Sequence, residues 1–174
     1  MSTRPPSRHH APHYSAGFTW IELLLVVGVI AILSLMAIPG MQDNILKKQV
    51  KEGLELADLA KKGVQAAYSL AGEFPDNNAA AGIPPSHKIV GNLVQEVKVA
   101  DGAITLTYGN NASKALEGKH LTLRPAVVAG EPMVPIAWVC HGAPPPKGME
   151  VRGKNETDIP LSNLPVECRL PGTK

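Results

Sequence analysis

Cys140 and His141 stand side by side, and a thiol beside an imidazole is the pattern of a nucleophile activated by a base. That chemistry needs a free thiolate and a third group to orient the imidazole, yet the chain carries one further cysteine, Cys168, with which Cys140 can pair. His9, His10 and His13 cluster as metal ligands can, but no Asp or Glu accompanies them in residues 1–17. Asn111-Ala112-Ser113 and Asn155-Glu156-Thr157 match the glycosylation tripeptide, a pattern short enough to arise by chance. The C-terminal acids Glu150, Glu156, Asp158 and Glu167 lack the spacing of a calcium loop, and no glycine-rich phosphate loop is present. These residues point to no enzyme, no metal and no cofactor. The residue that demands an account is Glu22, the only charged side chain in "GFTWIELLLVVGVIAILSLMAIP", Gly17–Pro39.

A membrane-spanning helix needs about 20 apolar residues, and Phe18–Ile38 supplies 21. A carboxylate in such a run is costly and requires a partner or a function. Ahead of the run, residues 1–17 are rich in Pro, His and Ser and contain Arg4 and Arg8, which reads as a disordered leader. No small-residue cleavage site follows the apolar run, so cleavage ahead of it, at Gly17, is the other option. The arginines place the N-terminus in the cytoplasm and the remainder outside. Both cysteines then sit in an oxidising compartment, where a Cys140–Cys168 disulfide is expected and two free thiols are the alternative. Arg4 and Arg8 are two of the 17 Lys+Arg, so residues 18–174 hold 15 against 15 Asp+Glu. A neutral chain of this kind has no basic footprint for nucleic acid, and its length beyond the apolar run suits one small domain.

After Pro39 and Gly40, apolar residues recur every three or four positions at Leu46, Val50, Leu54, Ala57, Ala60, Val64, Ala67–Tyr68 and Ala71. Lysines and glutamates fill the intervals, with Lys47–Lys48 and Lys61–Lys62 read as the solvated side. This predicts an amphipathic helix to about Ala71, stopped by Gly72. Pro39 is expected to kink one long helix, with two helices meeting at a Pro-Gly turn as the alternative. Beyond the loop "EFPDNNAAAGIPPSHK" the period falls to two. "VQEVKVADGAITLTYG" predicts a hairpin turning at Asp101–Gly102, "HLTLRP" a third strand and "PIAWVC" a fourth. Tyr108 and Trp138 read as core. The meander lacks a core of its own and needs the helix as a lid. From Cys140 onward the chain is irregular and rich in Pro and Gly, an excursion the disulfide would close.

The apolar run resembles the N-terminal segment of type IV pilins: glycine before the cut, phenylalanine after it, glutamate fifth in the mature chain, proline at the end. "ITLTYG", "LTLRP" and "IAWVC", followed by a Pro-rich loop to a second cysteine, are similar to the globular half of the Neisseria- and Pseudomonas-type pilins. The resemblance implies an α+β fold: a long N-terminal helix, its first half spanning the membrane, packed on a four-stranded antiparallel sheet with a disulfide-closed C-terminal loop. It divides the chain into a removed leader (1–17), a membrane and assembly segment (18–39) and a pilin domain (40–174). It implies cleavage between Gly17 and Phe18 by prepilin peptidase, methylation of the Phe18 amine, and a role for Glu22 in assembly. Cys140 and Cys168 would bound the variable loop. Departures from the family pattern are the longer leader, Trp20 in place of leucine, and Gly28 and Ala31, which look exchanged. The implied function is a subunit that polymerises with copies of itself, through the pilus assembly machinery and from the inner membrane, into a surface filament. Adhesion to host or abiotic surfaces, twitching motility and DNA uptake are the uses that follow. A secretion pseudopilin and a membrane-tethered binding domain that never polymerises are the alternatives.

Overall fold

The computed structural model describes residues 17–169; of residues 36–43 only the helical backbone is described, not the side chains. The leader of residues 1–16 and the expected kink at Pro39 therefore lie outside the described residues and side chains. The chain divides into two units, residues 1–39 and 40–174. Helix α1 is assigned from Trp20 to Ala71 and contributes to both.

In the first unit the described side chains from Phe18 to Leu35 are all exposed. Phe18 and Trp20 are each 77% exposed and Leu35 75%. Among the described residues no helix is long and apolar enough to cross a membrane. The described side chains of the apolar run end at Leu35, short of the length a span requires.

In the second unit, the spacing of three and four expected from sequence places Val50, Ala57, Ala60, Val64 and Tyr68 on the buried side of α1. Ala71, which continues that spacing, is exposed, so the buried stripe ends one turn before the helix does. The helix stops where Gly72 bonds back to the Tyr68 carbonyl. The stripe packs on an antiparallel sheet of β1 (Val94–Ala100), β2 (Ala103–Tyr108), β3 (His120–Val127) and β4 (Ala137–Cys140), in the order β1-β2-β3-β4. Inward residues Val97, Val99, Ile104, Leu106, Leu121 and Leu123 meet the helix in one core. The β1–β2 hairpin turns at Asp101 (φ 50) and Gly102 (φ 75). Two successive positive φ values are what a two-residue turn between right-twisted strands needs, and an Asp-Gly pair tolerates them.

Three features go beyond the sequence reading. A fifth strand, β5 (Glu150–Val151), lies in the supposedly irregular C-terminal segment and pairs with Ala126 and Val127 of β3. The fourth strand is shorter than "PIAWVC", beginning at Ala137. The sheet is also covered on the face away from the helix: Thr122 is wholly buried and Thr105 is 8% exposed. The alternation of β-branched hydroxyl residues with apolar ones marks a two-faced strand, but alternation alone does not reveal that a distant segment seals the second face.

Candidate functional site

Two regions hold the residues singled out by sequence. At the N-terminal end, Thr19 precedes the helix and its Oγ1 accepts the Glu22 N–H at 3.3 Å. That is the bond by which a capping threonine satisfies an unpaired donor of the first turn. Glu22 lies in that first turn, where a carboxylate complements the positive end of the helix dipole. Among the described residues no basic side chain forms an ion pair with it. Its surroundings are the exposed side chains of Phe18, Trp20, Ile21, Leu23 and Leu25. A contiguous apolar surface of this kind is not sustained in water by a lone monomer and marks an interaction surface.

In the second unit, Cys140 closes β4 and Cys168 sits in a short 3₁₀ turn, Val166–Cys168, held against it. Their sulfurs form a disulfide with a Cα–Cα distance of 4.9 Å across 28 residues of sequence. Both cysteines are buried and belong to the central core, with Leu54 of α1 and Trp138 packed nearby. With Cys140 oxidised there is no thiolate for His141, and the nucleophile pair suggested by their adjacency does not exist. The His141 Nδ1 is instead buried without a hydrogen-bond partner among the described residues, while its carbonyl accepts from Arg124 at 2.8 Å.

The loop that the disulfide closes is tied down along its length. Thr122 Oγ1 accepts the Glu156 N–H at 3.0 Å, and the Thr122 N–H donates to Thr157 Oγ1 at 2.9 Å. The His120 N–H donates to Asp158 Oδ1 at 2.6 Å, and Lys119 approaches the same carboxylate at 3.8 Å. Partial burial pushes the Asp158 carboxyl up, but the hydrogen bonds from His120 and the charges of Lys119 and His120 outweigh it and hold it below its usual value. Ile159 and Leu164 supply the loop's apolar anchors.

Asn78, which the sequence did not single out, and the hydroxyl of Tyr108 do comparable work. Asn78, between the helix and β1, is 7% exposed. Its Nδ2 donates to the Pro84 and Val97 carbonyls at 3.0 Å each, and its Oδ1 accepts the Val99 N–H at 2.7 Å. One side chain thus acts as a rung for the outer edge of β1, which among the described residues no further strand pairs. Tyr108, expected in the core, is wholly buried, and its hydroxyl donates to the Val50 carbonyl of α1 at 2.8 Å. Burial pushes the Tyr108 phenol well above its ordinary value. The signal in sequence was Gly53, a helix-interior glycine that leaves room for this ring. The two glycosylation tripeptides are structurally engaged: the Asn111 amide donates to Asn92 at 2.8 Å and Asn155 Oδ1 accepts from Thr157 at 3.1 Å.

The family model for pilins, proteins of bacterial filaments, matches residues 47–169, from the outward lysines of α1 through the closing cysteine. The chain belongs to the pilin family. A type IV major pilin protein of Neisseria gonorrhoeae is 36% identical over 161 residues, 88% of this chain and 86% of that protein. A fimbrial protein of Neisseria meningitidis serogroup A is 33% identical over 164 residues, covering 88% of this chain and 93% of its own. A fimbrial protein of Eikenella corrodens is 35% identical over 127 residues, 71% of this chain and 80% of its own. As a pilin the chain is a structural subunit of a bacterial filament rather than an enzyme. In this pilin the disulfide and the bonds to Thr122 and His120 lock the loop that the family resemblance assigned to Cys140–Cys168.

Proposed function

We propose that this pilin is made as an inner-membrane precursor, cut by prepilin peptidase between Gly17 and Phe18, methylated on the Phe18 amine, and polymerised into a type IV pilus at the cell surface. The pilus serves adhesion and twitching motility; the neutral charge of residues 18–174 gives no support to direct DNA contact. One observation carries the reading: an apolar helical run exposed from Phe18 to Leu35, with one acid and, among the described residues, no cation paired to it. Phe18–Ile38 is long enough by sequence to span a bilayer before assembly. An acid at the centre of a membrane helix costs about 2.5–3.5 kcal/mol, and less near the end, where Glu22 lies.

Cleavage at Gly17 creates the compensating charge, a positive amine at Phe18. A neighbour's amine paired with Glu22 neutralises both in an apolar filament core and penalises other staggers, since each strands two charges away from water. A heterologous contact that does not close then propagates into an open helix. The test is Glu22→Ala: export, cleavage and the disulfide should persist while sheared filaments disappear or fall sharply, and Glu22→Asp should retain part of the yield. Intact mass of surface material should begin at Phe18. Normal filament yield from a stable Glu22→Ala protein would sink the charge-pairing mechanism.

A further inference from the structure

We propose that the outward side of α1 carries alternating charge blocks that set the axial offset between neighbouring copies of this chain; the proposal rests on the filament reading above. Lys47, Lys48 and Lys51 form a basic block, Glu52, Glu55 and Asp58 an acidic one, and Lys61 and Lys62 a second basic one. Lys48, Lys51, Glu52, Glu55, Asp58 and Lys62 are exposed, away from the side that buries Val50, Ala57 and Val64; Lys47 and Lys61 are half-buried at its margin.

Within a single copy these charges are largely unspent. Asp58 and Lys61 pair at 2.9 Å, but Lys48 with Glu52 and Lys51 with Glu55 form no ion pair among the described residues. Both couples place the lysine four residues ahead of the glutamate, the less favourable order on a helix. The same side carries Leu59, 47% exposed, and Leu70, 90% exposed. They are eleven residues apart, close to three full turns, and so share one face. Exposed leucines flanking unpaired charges describe a surface built to be covered. Because the charges alternate in sign along the axis, the surface is complementary to a displaced copy of itself, and a second copy is the occupant.

The offset follows from helix geometry. Successive block centres lie six to seven residues apart, which is about 10 Å at 1.5 Å per residue. Two parallel copies at equal height set like against like at every block. A shift of about 10 Å sets the basic block of one against the acidic block of the other, and its acidic block against the second basic one. A shift of about 20 Å returns basic to basic. Exclusion of water between packed subunits strengthens the discrimination.

Two block reversals test this. Lys47, Lys48 and Lys51→Glu makes the first two blocks acidic; Glu52, Glu55 and Asp58→Lys makes them basic. Each alone should be exported, cleaved and retained in the membrane, yet lose about tenfold or more of sheared filament, as each now repels its own displaced copy. Co-expressed, they should restore filaments containing both, since the acidic block of one meets the basic block of the other. In parallel, copies carrying Lys48→Cys and Glu55→Cys should cross-link to each other in filaments, while Lys48→Cys alone should not. Wild-type filament yield from either reversal alone overturns the proposal. So does failure of co-expression to rescue two stable, cleaved proteins, which would assign these charges to another partner. Absence of fibres from the unmodified chain would instead overturn the filament reading itself.

Discussion

Replacing Gly53 by alanine sets helix propensity against packing. Alanine is favoured over glycine in a helix interior by about 1 kcal/mol, so local reasoning expects a more stable protein. The structure expects the opposite. A Cβ on Gly53 would lie 2.5 Å from Tyr108 Oη, 2.6 Å from Cε1 and 2.8 Å from Cζ. The ring has nowhere to retreat, because it is wholly buried and its hydroxyl is anchored on the Val50 carbonyl at 2.8 Å. Overpacking of this kind costs about 1–3 kcal/mol, and displacing the phenol forfeits about 0.5–1.5 kcal/mol of hydrogen bond. Set against the propensity gain, the net expectation is a loss of about 0.5–3.5 kcal/mol. Equilibrium urea unfolding of the purified chain in detergent, followed by circular dichroism, should show a lower midpoint with an unchanged slope. In a Tyr108→Phe background the penalty of Gly53→Ala should shrink, since the nearest clashing atom is gone, and the two changes should be non-additive. A Gly53→Ala chain more stable than the parent, or strict additivity with Tyr108→Phe, would refute the reasoning.

Cys140→Ser with Cys168→Ser should cost about 3–4 kcal/mol by loop entropy for the 28-residue separation, and alkylation of the exported, unreduced wild type under denaturing conditions should label neither cysteine. Asn78→Ala should cost about 2–4 kcal/mol, because it strands the Val97 and Pro84 carbonyls and the Val99 N–H. Asn78→Asp should be worse at neutral pH, where its carboxylate faces two carbonyls, and should recover as acid protonates it, read in the same unfolding assay. Asp158 has a folded value below its unfolded one. Its stabilising contribution is therefore complete above the unfolded value, about pH 4, and disappears as pH falls through the folded value. The acid limb of the stability profile should flatten in Asp158→Asn, and a limb unchanged by that substitution would count against this account.

Local pattern was enough for α1 beyond Gly40, for the existence of the four main strands and for the family. The apolar spacing from Leu46 to Tyr68 depends only on which side chains share a helical face, and it placed Val50, Ala57, Ala60 and Val64 correctly in the core. Asp101–Gly102 specified its turn because few residues accept two positive φ values in succession. Two cysteines leave one intramolecular pairing, and the structure contains it.

What a single sequence could not disclose are contacts between residues far apart along it. The bond of Tyr108 to Val50 spans 58 positions, Asn78 to Val99 spans 21, and Thr122 to Thr157 spans 35. No periodicity announces them, because each depends on where the sheet lies relative to the helix and on which segment crosses its second face. β5 escaped notice for the same reason: two residues, Glu150 and Val151, carry no detectable alternation and become a strand only because β3 offers them an open edge beyond the end of β2. Secondary structure here is written in spacing, which is local. Satisfaction of buried polar groups is written in three dimensions, and only the tertiary structure decides it.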